Sequence, residues 1–186
     1  MKVGLKIGLA TVVFLAVAAL VFWFAAPIRS TTTVTTPSEM PLPEDAVIDR
    51  LVVHKSKRTM LAYSQGRLLK TYPISLGKQP IGHKQFEGDG KTPEGKYRIN
   101  ERNPNSGYHK NLGVSYPNEA DKAYAEQHGK SPGGLIKIHG MKNGWGFIGK
   151  KHLQKDWTNG CIAVTDEEVD ELYRSVKHNA EIEILP

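Results

Sequence analysis

The chain has 186 residues, 39% of them hydrophobic, which suits one domain of ordinary size plus an extra segment and excludes a chain too polar to bury a core. Its formal charge is +6, but Lys2, Lys6 and Arg29 flank an N-terminal apolar run; the remaining 22 basic and 19 acidic residues include no basic block, so no nucleic-acid surface is expected. The single cysteine excludes an intrachain disulfide and a Cys-rich metal site.

Residues 8–28 carry no charge and end in an aromatic cluster, Phe22-Trp23-Phe24. About 20 apolar residues cross a bilayer core of about 30 Å as a helix. The positive charges lie mainly on the N-terminal side, so that end is expected in the cytoplasm and the rest of the chain outside it. The alternative is a cleaved signal peptide, with Ala16-Val17-Ala18 as a small-residue cleavage site. Residues 1–29 are therefore read as a membrane anchor or signal peptide, and either reading exports the remainder. Residues 30–45 are rich in Thr, Ser and Pro and read as a linker.

The folded domain is expected over residues 46–186. Strands are expected over 47–54, 59–63 and 67–76, spaced by turn residues as in an antiparallel meander. A polar, Gly-rich stretch from Gly88 to Gly95 precedes a further strand over 96–100. Residues 102–133 read as an irregular loop with a short helix around 121–128. Leu135 to His139 reads as a strand stopped by Gly140. Thr165-Asp166-Glu167-Glu168 has the form of a capping box, and Val169, Leu172, Tyr173 and Val176 give the following helix one apolar face. Residues 180–185 alternate as a closing strand. The sum is a mostly-β sandwich or barrel with one or two helices, preceded by the N-terminal transmembrane helix.

Export changes the meaning of Cys161. Thiols outside the cytoplasm are usually paired, so an unpaired one is either a buried small hydrophobe or a group that is needed. Gly160 permits a tight turn, and backbone N–H groups around such a turn can donate to an oxyanion. A thiol with a pKa of about 8.5 is only slightly ionised at pH 7 and needs a base. Among seven histidines, His139 ends an apolar strand and precedes a glycine. His152 sits among Lys150, Lys151 and Lys155 and reads as solvated, while His83 and His109 lie in loops that could line a cleft. No His-x-x-x-His pair is present, which disfavours zinc.

Ile138-His139-Gly140 followed by Thr158-Asn159-Gly160-Cys161 resembles the His-Gly…[Ser/Thr]-x-Gly-Cys signature of L,D-transpeptidase (YkuD-type) catalytic domains. Gly88-Asp89-Gly90-Lys91-Thr92-Pro93-Glu94-Gly95 is similar to that family's Asp-Gly-x-Thr-Pro-Glu-Gly loop. The resemblance implies a β-sandwich-like domain with Cys161 as nucleophile and His139 as proton acceptor and donor. Gly160, Gly140, Thr158 and Asn159 would support the site, with no cofactor or metal. It implies acyl transfer from the diaminopimelate L-centre of a peptidoglycan stem tetrapeptide to an acceptor amine, in the cell envelope. Two departures stand out: Ala163 occupies a position that is Arg in many members, and Trp145 to Lys155 forms extra loop between the two motifs. Ser115-Tyr116-Pro117-Asn118…Asp121 and Gly-Cys-Ile-Ala are similar to a branch that cleaves the link between murein and an attached lipoprotein. Hydrolysis at the same site, as a carboxypeptidase or a murein–lipoprotein amidase, is therefore an alternative, and a non-catalytic wall-binding module is a third.

Overall fold

A computed structural model describes residues 40–186. The expected anchor over 1–29 and most of the linker lie outside the described residues; among those described, no helix is long and apolar enough to cross a membrane.

The described residues form eight strands and two α-helices. The strands are β1 (Ile48–His54), β2 (Thr59–Ser64), β3 (Arg67–Pro73), β4 (Gly95–Ser106), β5 (His109–Val114), β6 (Lys137–His139), β7 (Ile162–Ala163) and β8 (Val176–Leu185). The helices are α1 (Glu119–Gln127) and α2 (Asp166–Ser175), and 3-10 turns occupy Gly146–Gln154. The strands pair in the order β3-β2-β1-β8-β4-β5-β6-β7. The meander of the first three strands is as expected, but β8 returns beside β1 in parallel, with Leu51 opposite Ile182.

β4 is the corner of the fold. Its first residues, Gly95 to Arg98, pair with β8, and its later residues pair with β5. Register shifts after Ile99 and Asn103 bend it, as bulges do. The two ends of the strand order then meet. Beyond β3, Ser75 N–H donates to the Ala163 carbonyl at 3.0 Å, and Ala163 N–H donates back to Ser75 at 2.8 Å. The sheet therefore curls over a core that includes Leu51, Met60, Tyr72, Ile99, Leu112, Ile138, Ile162, Leu172 and Ile182.

The segment 102–133 is not an irregular loop. It holds the outer half of β4, all of β5 and α1. The outer half of β4, Glu101 to Asn105, is polar because most of those side chains face solvent, which hides its strand character. Asn118 caps α1 by accepting from Asp121 N–H at 3.0 Å, while the Asp121 carboxylate accepts from Asn118 N–H at 2.8 Å. The expected box at α2 is present: Thr165 Oγ1 accepts from Glu168 N–H, and Glu168 accepts from Thr165 N–H. On its apolar face Val169 and Leu172 are buried and Tyr173 is half-buried, while Val176, also buried, lies just past the helix as the first residue of β8.

Candidate active site

The cysteine turn is built by one hydroxyl. Thr158 Oγ1 accepts from Gly160 N–H at 3.1 Å and donates to the Cys161 carbonyl at 2.7 Å. Gly160 has φ +131°, and a Cβ there would lie 2.6 Å from the Lys91 carbonyl oxygen. Only glycine satisfies both conditions.

Lys91 belongs to the Asp89–Gly95 loop, whose shape comes from a carboxylate. Asp89 accepts from the amides of Gln85 (2.8 Å), Phe86 (3.0 Å) and Lys91 (3.0 Å), and from Lys84 Nζ at 2.8 Å. Those donors hold its carboxyl below the usual range against the opposing effect of burial. Thr92 Oγ1 accepts from Gly77 N–H at 3.0 Å, and a side chain at Gly77 would strike the Gly90 carbonyl. The second sequence motif is thus a brace beneath the cysteine turn.

His139 ends β6. β6 runs parallel to β7, with Ile138 opposite Ile162 and His139 opposite Ala163. Continuing that register one residue puts Cys161 level with Lys137, so Lys137, His139 and Cys161 share one face. His139 is 5% exposed, and its Nδ1 lies 2.7 Å from the Gly140 carbonyl. A carbonyl only accepts, so Nδ1 carries the proton and Nε2 presents its lone pair. Gly140 is required by close approach: a Cβ there would strike the Asp166 carboxylate, which accepts from Met141 N–H at 2.7 Å. The Tyr108 and Trp157 rings pack on the imidazole at 4.8 Å and 5.7 Å between centroids.

Burial holds the His139 imidazole below its ordinary pKa of 6.5, partly offset by the Gly140 carbonyl. Burial also pushes the Cys161 thiol up, against the downward pull of the Lys137 amide and the Lys137 and Lys84 charges. Both effects of burial favour the uncharged thiol and the uncharged imidazole. The thiol points to the Leu135 carbonyl, 3.6 Å from Sγ. Leu135 has φ +56°, a conformation that side chains with a Cβ rarely adopt, and is 80% exposed.

Cys161 and His139 open onto one cleft of about 490 Å³, shared with Tyr108, Lys137, Trp157 and Asn159. Asn159 Oδ1 accepts from Lys78 Nζ at 3.2 Å. Asn111 also lines the cleft and has a buried Oδ1 without a partner among the described residues. Lys137 is ion-paired to Glu101. The cleft thus brings together a thiol, an imidazole with a free lone pair, a cation and a carbonyl-type acceptor.

The turn and the histidine expected from sequence are together. The Gly160 amide, expected to face an oxyanion, is held by Thr158 instead. His152 is not solvated: it is 6% exposed, with Nδ1 3.2 Å from Ser75 Oγ. His83 bonds Asp121 and the Glu94 amide, and His109 bonds Asp170, so both serve networks outside the Cys161 cleft. Tyr108, Trp157, Lys137 and Asn111 were not expected. Lys137 alone had a signal, two residues before His139 and so on the same strand face. Ala163 is fully buried in the seam with Ser75. No group of three or more His, Cys, Asp or Glu suited to a metal occurs among the described residues.

The model of the L,D-transpeptidase catalytic domain (YkuD) family matches residues 48–184. YafK of Escherichia coli strain K12, named as a candidate L,D-transpeptidase, is 30% identical over 131 residues, covering 67% of this chain and 45% of that protein. A similarly named protein, YkuD of Bacillus licheniformis, is 28% identical over 142 residues, covering 76% and 68%. The crystal structure of the helical cell shape determining protein Pgp2 of Campylobacter jejuni superposes with a TM-score of 0.57 at 27% identity, covering 75% of this chain and 48% of that one. The chain spans about half the length of YafK and of Pgp2. With its match running from β1 to the end of β8, the chain belongs to the L,D-transpeptidase catalytic domain family.

Proposed function

We propose that the chain is a cysteine L,D-transpeptidase acting on peptidoglycan stem peptides. The observation that carries this reading is the shared cleft onto which His139, with Nε2 unprotonated, and the Cys161 thiol both open from one face of paired strands. In the acylation step His139 Nε2 takes the thiol proton as sulfur attacks the diaminopimelate carbonyl of a tetrapeptide. The C–N bond to the terminal D-alanine breaks, and His139 returns the proton to the leaving amine. An acceptor amine then attacks the thioester and gives a proton to His139 Nε2, the S–C bond breaks, an amide forms, and His139 returns the proton to the Cys161 sulfur. With the Gly160 amide held by Thr158, we assign the oxyanion to the Cys161 amide.

The reading extends to placement. Lys2 and Lys6 before the apolar stretch, and Thr/Ser/Pro-rich residues after it, support an inner-membrane anchor with the domain outside the cytoplasm. The substrate class requires that side of the membrane.

The test is incubation of the full chain with disaccharide tetrapeptides. Crosslinked dimers, lost in Cys161→Ala, are expected. Tripeptide products without dimers would reject transfer and make the enzyme a hydrolase, and turnover by Cys161→Ala would reject the site.

A further inference from the structure

A second groove lies beside the catalytic cleft. It is about 700 Å³, and Tyr108 and Trp157 line both it and the cleft, so the two adjoin. Its other walls come from Met141 and from the segment 142–155 that separates the two motifs. Trp145 is half exposed and stacks on Phe147, which is 84% exposed, at 6.2 Å between centroids. Two large apolar rings left facing water mark a binding surface more often than a packing error.

The polar groups of this groove narrow the ligand. Ser75 Oγ–H donates to the His152 carbonyl at 2.9 Å, so His152 Nδ1–H donates to Ser75 Oγ and Nε2 is left as an acceptor. His152 Nε2 is buried without a partner among the described residues, and so is the Trp157 indole N–H. Neither atom is open to solvent, so a ligand reaches them only where the groove wall moves aside; a hydroxyl or acetamido group then offers each a partner, which an apolar occupant does not. Lys142, Lys151 and Lys155 also line the groove, and no carboxylate among the described residues ion-pairs with them. The groove therefore favours a partner that carries carboxylates over one that carries amines.

We propose that this groove is a saccharide subsite that seats an N-acetylated amino sugar bearing the acidic stem peptide whose carbonyl reaches Cys161. The inference rests on the stem-peptide reading given above and names the part of the substrate beyond the peptide. Three extended residues span about 10 Å, the scale of two adjoining clefts, so one molecule can occupy both. The flat faces of Trp145 and Trp157 suit a pyranose ring, and the lysine rim suits the stem carboxylates.

Two measurements on the full chain test this. The first compares kcat/KM for a disaccharide tetrapeptide with that for the free tetrapeptide. A preference of about tenfold for the sugar-bearing substrate, the worth of one good contact, is expected. Trp145→Ala should collapse that ratio towards one, whereas Lys151→Glu, which faces the stem carboxylates common to both substrates, should lower both rates and leave the ratio in place. An equal rate on both substrates, or a ratio that Trp145→Ala leaves unchanged, overturns the inference. The second is calorimetric titration of Cys161→Ala protein with the tetramer of N-acetylglucosamine. Binding that weakens at least fivefold in a Trp145→Ala background is expected, and no binding overturns the inference even if the chain is a transpeptidase. Binding by a chain that turns over neither substrate rejects the catalytic reading and keeps the saccharide site.

Discussion

Thr158→Val isolates the hydroxyl that shapes the nucleophile turn. Thr158 is 5% exposed, and its Oγ1 both accepts from Gly160 N–H at 3.1 Å and donates to the Cys161 carbonyl at 2.7 Å. Valine keeps the shape and removes both bonds, so no large cavity enters the balance. Each buried backbone group left without a partner costs about 1–3 kcal/mol. The pair should therefore lower stability by about 2–4 kcal/mol, since partial relaxation recovers some of the loss. For a domain of this size that is a fall in Tm of roughly 5–15 °C. Thr158→Ser keeps the hydroxyl and should recover most of the difference. The assay is thermal unfolding of the three proteins in parallel with their rates of Cys161 alkylation and turnover. Turnover should fall further than stability requires, because the freed Gly160 and Cys161 peptides no longer hold the thiol and its neighbouring amide in place. A valine variant that melts within a degree or two of the parent and turns over normally would refute the role given to Thr158.

Gly160→Ala should destabilise by about 2–5 kcal/mol, combining a strained backbone state with overpacking against Lys91, and should abolish thiol reactivity; unchanged unfolding by urea would contradict that. Lys137→Met removes a cation that favours the Cys161 thiolate, so the pH profile of thiol alkylation should move to higher pH, while Lys137→Arg keeps it near the parent; coincident profiles for Met and parent would remove Lys137 from the site's electrostatics. Burial and His139 lower the His152 pKa to about 4. The unfolded chain binds a proton at His152 below about pH 6.5 and the folded chain does not until about 4, so falling pH favours unfolding across that window. The loss amounts to roughly 3 kcal/mol at about pH 4. His152→Gln should flatten this part of the stability profile, and a profile as steep as the parent's would assign the acid sensitivity elsewhere.

The sequence exposed the site better than the sheet that carries it. His139 and Cys161 were legible because each stands beside a glycine at the edge of an apolar run, a local pattern that core packing alone seldom produces. The braces were legible only as a motif. That Asp89 gathers three amides and Lys84 is a local turn without periodicity, and that Lys91 abuts Gly160 depends on an approach between segments some 70 residues apart; local periodicity carries neither. The β4–β5 hairpin was hidden because its outer half is polar and solvent-facing, and its bulges break the alternation that marks a strand. The parallel place of β8 beside β1 was invisible for a related reason: its partners are set by the whole sheet. His152 misled through its neighbours. Lys150, Lys151 and Lys155 lie on the exposed side of the 3-10 turns, while His152 turns inward to Ser75.

The central claim is that Cys161 forms a thioester with the donor peptide while His139 moves the proton. Intact-mass spectrometry of the full chain, quenched in acid soon after mixing with disaccharide tetrapeptide, tests it most directly. The account predicts a mass gain equal to the substrate less D-alanine, located on Cys161 by peptide mapping, absent from Cys161→Ala and strongly reduced in His139→Gln. Turnover with no adduct at Cys161, or an adduct that persists in Cys161→Ala, would contradict it.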